Sequence, residues 1–522
     1  MKNITSLLVV LLFFAMNNIS VRGQSLKISA SPNRVYTAID IPFDRIATIK
    51  PKSTSETTSK YWTIGCETVD RDYTIYDEYK EYLSPLGFRK ARFQAGWAKT
   101  EKQKGIYNFD WIDKIVDDMA SRNMELWMEL SYGNPIYPGG GGYDLGAGLP
   151  VSEEALKAWD KWVETMVTRY KGKIHEWEIW NEPDLRSVKH EITDDEPEHR
   201  AKADANSPEG LAMFNLRTAK IIKRIDPEAK IAGLAIVRLE KLEYIEKYLQ
   251  VFKENNSLDL LEWISFHGYP YNPDDMYTKL GVEDNLKKAR ELVASYSPNL
   301  KLRQGESGCP SEYPVKHHAL RNYNWTELTQ AKWFLRRMMG DMGNDIPDAS
   351  VFCIMDMTYL YKAGTPEQYK FYNRFGLLRA DSVKQVEKIK QSYYAVQNVI
   401  SAFDQPLVRV KDAKCKVKAA NEITSYVYKN KENGKKVIVM WDGTQIPADS
   451  YKTQKATVSI ENSGFTDPVW IDLLSGRVYK ISSSSWKRVG NSETFEVPVY
   501  DSPVLITDRN TILTQEYKKC QD

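Results

Sequence analysis

The stretch Ile174-His175-Glu176-Trp177-Glu178-Ile179-Trp180-Asn181-Glu182-Pro183-Asp184 sets a carboxylate where a β-strand has to stop. Its first half reads as a buried strand, and Pro183 cannot continue one, because proline lacks the N–H a sheet requires. A carboxylate at such a junction is held by the strand and faces an open cleft, which suits a catalytic acid. Glu182 is therefore the first candidate for chemistry. A second carboxylate stands in Gly305-Glu306-Ser307, and Arg92 and His267-Gly268-Tyr269 lie at comparable run ends. Two carboxyl groups are what glycosidic cleavage uses: one protonates the leaving oxygen while the other attacks the anomeric carbon or activates water, through an oxocarbenium-like state. A neighbouring carboxylate raises the pKa of one member, and a cation or hydroxyl donor keeps the other ionised. Arg92 and Tyr269 then suit Glu306 as nucleophile. Asn181 suits a sugar hydroxyl beside the reacting carbon, which leaves Glu182 as acid and later base, and His267 would orient one of these groups. Trp97, Tyr132, Tyr269, Tyr271, Tyr359 and Tyr361 lie at or beyond run ends and offer flat faces to a sugar ring. Glu129, Glu176 and Glu178 lie within strands and read as ion-paired barrel residues, with Glu129 a reserve candidate for catalysis.

Such residues need a frame that brings distant strand ends together. Between 61 and 402 short β-branched or aromatic runs alternate with helical patterns. Eight strands are expected: Tyr61–Glu67, Phe88–Gln94, Met124–Tyr132, Ile174–Asn181, Lys230–Val237, Leu260–Tyr269, Leu302–Glu306 and Ser350–Asp356. Helical stripes such as Ile112, Ile115, Val116 and Met119, or Leu156, Trp159, Val163, Val167 and Tyr170 after a Ser152 cap, lie between them. The expected fold class is α/β, a (β/α)8 TIM barrel, on which strands 4 and 7 face each other across the mouth. A doubly wound sheet is the alternative, but no Gly-x-Gly-x-x-Gly follows a strand. The run Gly139–Gly142 reads as a flexible cleft wall. From 403 to 510 alternating runs (Ser425–Tyr428, Val437–Trp441, Ala456–Ile460, Val469–Leu473, Val497–Thr507) broken by Asn433-Gly434 and Ser475-Gly476 predict a C-terminal antiparallel β-sandwich. Residues 24–60 are placed as a segment that joins this sandwich, and 511–522 as a tail.

A formal net charge of +2 from 72 basic and 70 acidic residues gives no electrostatic case for nucleic acid. Lys2, the apolar run Leu7–Ala15 and the Val21-x-Gly23 pattern predict a cleaved secretory leader over 1–23, with no lipid-anchor Cys near it and no later run that spans a membrane, so a secreted or periplasmic protein is expected. The five Cys have no metal-like spacing; Cys66 and Cys353 read as buried thiols, and Cys415 with Cys520 could pair. The adjacent pair His317-His318 does not suit one metal, and Asp194-Asp195-Glu196 is the calcium candidate of a loop otherwise read as solvated. No metal and no cofactor is expected.

The chain resembles a clan A glycoside hydrolase, the retaining (β/α)8 group, and within it the family 39 type, known for β-xylosidase and α-iduronidase activities. Trp180-Asn181-Glu182-Pro183-Asp184 matches the acid/base strand, and Gly305-Glu306-Ser307 stands where the nucleophile strand ends. His267-Gly268-Tyr269 resembles the strand 6 motif and Arg92 the strand 2 arginine, while Phe375-Gly376-Leu377-Leu378 leading to Tyr393-Tyr394-Ala395 resembles the exit from strand 8. Two departures stand out: Gln94 replaces a histidine after the strand 2 arginine, and Phe352-Cys353-Ile354-Met355-Asp356 lacks a tryptophan. The resemblance implies a retaining hydrolase of a β-linked poly- or oligosaccharide, xylose-containing glycans first and β-glucans second. A transglycosylase sharing the covalent intermediate and a non-enzymatic carbohydrate-binding protein are the other readings.

Overall fold

A computed structural model describes residues 39–146, 148–185, 206–277, 285–313, 319–360 and 370–516. Eight parallel strands close into a barrel: Trp62–Gly65, Lys90–Gln94, Glu125–Leu130, Glu176–Ile179, Lys230–Ile236, Trp263–His267, Lys301–Glu306 and Ala349–Val351. Closure comes from the eighth strand pairing with the first, Ala349 beside Trp62 and Val351 beside Ile64. The sequence expects each of these strands, with ends that differ by a few residues. Helices cover the outside as their apolar stripes require: Ile112, Ile115, Val116 and Met119 of Asp110–Ser121 are all buried. Glu153–Tyr170 starts where the Ser152 hydroxyl accepts the Ala155 N–H at 3.1 Å, and it buries Trp159, Val163, Val167 and Tyr170.

The barrel interior is ionic where most barrels are filled by branched apolar side chains. The register sets Gln94 beside Glu129 and Glu129 beside Glu178, so inward-facing polar residues from neighbouring strands fall into layers. In the lower layer Lys90 and Arg303 pair with Glu176 and Asp348, all buried or nearly so. The upper layer, built on Arg92, belongs to the site described below.

Two antiparallel sheets, one of eight strands and one of four, form a sandwich around Phe43, Ile438, Met440, Val458, Trp470 and Phe495. Asp44–Ile49 pairs with Arg477–Lys480 on one side and with Thr514–Glu516 on the other. Residues 514–516 are thus a strand of the sheet, not part of a tail. The run expected as one strand over Val497–Thr507 is two, Ser492–Val499 in the smaller sheet and Val504–Asp508 in the larger. The break at Asp501-Ser502-Pro503 follows from Pro503, which cannot donate to a ladder. Gly434 and Gly476 have φ of +72° and +68°, the left-handed turns their Asn-Gly and Ser-Gly pairs imply.

The helix Glu327–Gly343 is buried along most of its length because it lies between barrel and sandwich. Its buried cations reach across: Lys332 donates to Ala448 O at 2.9 Å and to Asp501 at 2.6 Å, and Arg336 donates to Gln445 O at 2.9 Å. Arg336 also binds Asp274, whose carboxylate accepts the Trp441 indole N–H at 2.8 Å and the Thr424 hydroxyl at 2.9 Å from the sandwich. Asp274 lies in the segment that leaves the sixth barrel strand, so the sandwich braces the segment that carries Tyr269. Trp441→Phe keeps an aromatic ring and removes the donor to a buried carboxylate. It is expected to cost about 1.5–3 kcal/mol in urea unfolding.

The glycine run is not a flexible wall. Gly133 and Asn134 N–H groups bond to Gly142 O and Gly140 O at 2.8 and 2.9 Å, and a Cβ on Gly140 would collide with Asn134 O and Tyr137 O. Close backbone approach, and not mobility, explains these glycines. Among the described residues no helix is long and apolar enough to cross a membrane.

Candidate active site

The fourth strand ends at Ile179, and the next residues turn sharply, with φ of 70° at Trp180 and 46° at Glu182. Such left-handed positions are costly for non-glycine residues and persist only where surroundings over-determine them. Here they do: Trp180 is wholly buried, edge-on to Tyr132 at 5.7 Å and to Phe214 at 5.6 Å, and its N–H bonds to Leu130 O at 3.0 Å. The Glu182 N–H bonds to Ala235 O at 3.1 Å, and Asp184 accepts the Val237 N–H at 2.9 Å, tying the turn to the fifth strand. The Glu182 side chain is thereby aimed over the barrel mouth.

Glu306 ends the seventh strand opposite it. Gly305 is required there, because a Cβ would strike Ser265 Oγ and approach the His267 ring to 3.1 Å. His267 lies between the two carboxylates, with Nδ1 at 2.9 Å from Glu182 Oε1 and 3.9 Å from Glu306 Oε2. One oxygen of Glu182, one of Glu306 and one imidazole nitrogen all lie within 4.8 Å of one another. That spacing falls with the close-set carboxyl pairs of retaining glycosidases, about 5–5.5 Å apart, and not with the inverting ones at about 6.5–9.5 Å.

The two carboxylates are not equivalent. Burial pushes Glu182 above the ordinary glutamate range, Glu306 adds to this, and the His267 hydrogen bond only partly opposes it. Burial acts on Glu306 in the same sense, but His267, Arg92 (Nη1 to Oε2, 2.9 Å) and the donated Tyr269 hydroxyl together hold it below that range. Burial alone would lower His267; its two acidic neighbours outweigh this and raise it to about 9, so it carries its proton at neutral pH. Within the trio Glu182 holds its proton more tightly than an ordinary glutamate, Glu306 less tightly, and His267 carries its own at neutral pH.

Beneath Glu306, Arg92 is fully buried and distributes its donors among Glu67 and Glu306 from Nη1, Glu178 from Nε, and Glu129 and Asn181 from Nη2. Burial raises Glu67 to about 7 and Glu129 to about 8, with Arg92 opposing. Gln94 donates to Glu129 at 2.9 Å and accepts from Arg71, so the residue in the departing position is committed to the protein. Asn181 is fixed between Arg92 and the Tyr132 hydroxyl, to which its amide donates at 2.8 Å.

Of the residues expected at the site, Glu182, Glu306, Asn181, His267 and Tyr269 come together. Arg92 supports them from below and, wholly buried, is not placed to touch a sugar. Tyr132 stands one side chain back, its ring covered by the Arg71 guanidinium at 4.8 Å. Trp97 is not a sugar platform: it is buried in the outer core, stacked on Tyr137 at 5.5 Å, its indole N–H on Glu101 at 2.5 Å. Gly96, at φ +57°, turns the chain away from the mouth just before it. Tyr271 is partly buried, and its hydroxyl accepts the Asn322 N–H at 3.3 Å. The Tyr359 side chain, Tyr361, Asp194-Asp195-Glu196, His317-His318 and Cys520 fall outside the described residues. The sequence reading missed Glu67, whose signal was its place at the end of the first strand. Hollows of about 480 Å³, beside His267, Tyr269 and Met276, and about 380 Å³, beside Arg71, Tyr132 and Tyr143, flank the pair. A further hollow of about 760 Å³ between Lys253 and Lys301 opens at the opposite end of the barrel, away from the chemistry.

A sequence profile of Glycosyl hydrolases family 39 matches residues 49–495. A β-xylosidase of Geobacillus stearothermophilus is 23% identical over 373 residues, which cover 64% of this chain and 68% of that protein. A family 39 glycoside hydrolase from the gut symbiont Bacteroides cellulosilyticus WH2 superposes with a TM-score of 0.58 at 16% identity, over 88% of this chain and 83% of that one. A monomeric β-xylosidase from Caulobacter crescentus CB15 gives 0.52 at 15% identity, over 90% and 98%. These two structures speak for the fold; the profile spans most of the chain, which belongs to glycosyl hydrolases family 39 and is a retaining glycoside hydrolase of the clan A type.

Proposed function

We propose that the protein is exported and hydrolyses β-linked, xylose-containing glycans, with Glu306 as nucleophile and Glu182 as acid and then base. The observation that carries the assignment of roles is the inequality of two carboxyls within 4.8 Å: His267, Arg92 and Tyr269 hold one below the ordinary glutamate range, and burial pushes the other above it. In the first step Glu306 attacks the anomeric carbon while Glu182 passes its proton to the leaving oxygen. In the second Glu182 takes a proton from water, which displaces Glu306. His267, bonded to Glu182, keeps that carboxyl directed at the leaving group. Support for xylose comes from the Geobacillus relative, a β-xylosidase, and support for export from the Lys2, Leu7–Ala15 and Val21-x-Gly23 leader pattern.

The test is turnover of a panel of aryl β-glycosides and β-linked polysaccharides; xylosides and xylose-containing chains are expected to lead, and a lead by β-glucans would displace this reading. Catalysis requires Glu306 charged and Glu182 protonated. As pH falls through the lowered Glu306 value the nucleophile is lost, and as it rises through the raised Glu182 value the acid is lost. A kcat/KM profile should therefore be bell-shaped with its acid limb below, and its alkaline limb above, the ordinary glutamate range. Glu182→Gln should remove the alkaline limb and cost about 10²–10⁴-fold on substrates with poor leaving groups, and much less on dinitrophenyl glycosides, which need no proton. A Glu182→Gln enzyme that keeps the alkaline limb would move the acid role elsewhere.

A further inference from the structure

Five carboxylates of the upper layer, Glu67, Glu129, Glu178, Glu182 and Glu306, face two cations, Arg92 and His267. In the lower layer Lys90 and Arg303 meet Glu176 and Asp348, and Arg303 also acts on Glu178 from below. Buried like charges do not all ionise, so some of the five hold their protons more tightly than an ordinary glutamate. Glu182 is one of them. Another is indicated by geometry: Glu67 Oε1 and Glu306 Oε2 accept from the same nitrogen, Arg92 Nη1, at 2.8 and 2.9 Å, while Glu67 Oε2 is buried with no hydrogen-bond partner. The side chain is 1% exposed and curls over Gly65, where a Cβ would meet Oε2 at 2.5 Å and Val351 O at 3.0 Å. Glu178 Oε1 is likewise buried without a partner, but Glu178 takes Arg92 Nε, so Glu67 is the carboxyl that shares a guanidinium nitrogen with Glu306, and there an orphaned buried oxygen suits the protonated acid better than the anion.

We propose that Glu67 is a positioning residue for the nucleophile: it stands as a neutral acid while Glu306 is charged, leaving Arg92 to Glu306, and takes over Arg92 when Glu306 becomes an ester. This rests on Glu306 as nucleophile. Esterification forms the Glu306–anomeric carbon bond and breaks the bond to the leaving oxygen, which takes the Glu182 proton. The negative charge thereby passes from Glu306, bonded to Arg92, to Glu182, bonded to His267; Arg92 Nη1 keeps Glu67 as its remaining carboxyl acceptor, and Glu67, no longer sharing that nitrogen with a charged neighbour, gives its proton up to solvent more readily. The groups facing Glu67 allow this. Besides Arg92 and Glu306, Glu129 and Glu178 reach it through the shared guanidinium. Tyr79 from the short helix Tyr76–Tyr79, Tyr269, Cys66 and Cys353 complete its surroundings, and burial pushes all four well above their ordinary values, so they stay neutral.

The test is an infrared titration of protonated carboxyl groups in the wild type, Glu67→Gln and Glu306→Gln, the amide of the last standing for the uncharged ester. The wild type should lose an acid carbonyl band with a midpoint at about 7, absent from Glu67→Gln. In Glu306→Gln the same band should be lost about one pH unit lower or more, a tenfold change in the equilibrium. An identical midpoint in the wild type and Glu306→Gln, or a band that survives Glu67→Gln, overturns the proposal. Should Glu67→Gln fold poorly, the comparison of the wild type with Glu306→Gln still decides. The titration needs no substrate, so its failure leaves the catalytic role of Glu306 standing, and failure of that role appears separately in turnover.

Discussion

Glu306→Gln should lower kcat/KM on an activated aryl β-xyloside by about 10⁴-fold or more, the scale at which removal of a nucleophile is felt. The amide is isosteric, and the barrel should fold, because the amide oxygen can still accept from Arg92 Nη1 while the amide NH2, in place of the other oxygen, can donate to the Tyr269 hydroxyl. What disappears is the charge that His267, Arg92 and Tyr269 maintain. An activated leaving group removes the need for the acid, so the loss on such a substrate reports the nucleophile alone. The companion measurement is mass spectrometry after a 2-deoxy-2-fluoro glycoside: the wild type should carry one glycosyl group on the peptide containing Glu306, and the variant none. A Glu306→Gln enzyme within tenfold of the wild type would assign nucleophilic attack to another residue, with Glu129 the next carboxylate along the same guanidinium.

Arg92→Met should be the most damaging single change to the fold. It leaves Glu67, Glu129, Glu178 and Glu306 around an apolar tip, and breaking a buried ion pair from one side costs about 3–5 kcal/mol. The loss should depend on pH in a definite sense. Glu67 and Glu129 already have folded values raised to about 7 and about 8, above the ordinary glutamate value. Their contribution is present below the unfolded value and is lost as pH rises through the folded ones. Without Arg92 these values rise further, so the variant should be closest to the wild type near pH 5 and furthest from it above pH 8 in urea unfolding. Arg92→Lys restores a charge but offers one nitrogen in place of a planar fork, and cannot meet acceptors on the first, third, fourth and seventh strands together. It should recover part of the stability and little of the activity, because Glu306 loses its bond to Nη1. An unfolding curve for Arg92→Met that does not change with pH would mean that the carboxylates find other partners.

Local pattern determined a good deal. The eight barrel strands follow from period and burial, each a short run between turn signals, and the two catalytic candidates follow from where those runs end. Glu182 and Glu306 were legible because a strand-terminating carboxylate followed by Pro183 or preceded by Gly305 is a local feature, and because strand count alone sets strands 4 and 7 across the mouth. The helix stripes and the Ser152 cap were legible for the same reason.

Only the tertiary structure decided what those residues meet. Glu306 lies 214 positions from Arg92, and nothing in either segment states that they share a guanidinium nitrogen with Glu67. Arg92 reads in the sequence as the cation that keeps Glu306 charged, and the fold adds what the sequence does not state, that the same guanidinium also meets Glu67, Glu129 and Glu178, because an inward-facing strand residue sits at whatever depth the register assigns. Trp97 follows a strand end as a stacking residue should, yet the left-handed Gly96 sends it outward into the helical layer. The glycine run reads as slack and is a tight backbone contact, since glycine serves both ends and sequence does not separate them. The protonation pattern of the upper layer belongs to this second class. Each carboxylate is ordinary by itself, and it is burial around Arg92 and His267 that pushes Glu182, Glu67 and Glu129 above the ordinary range and holds Glu306 below it.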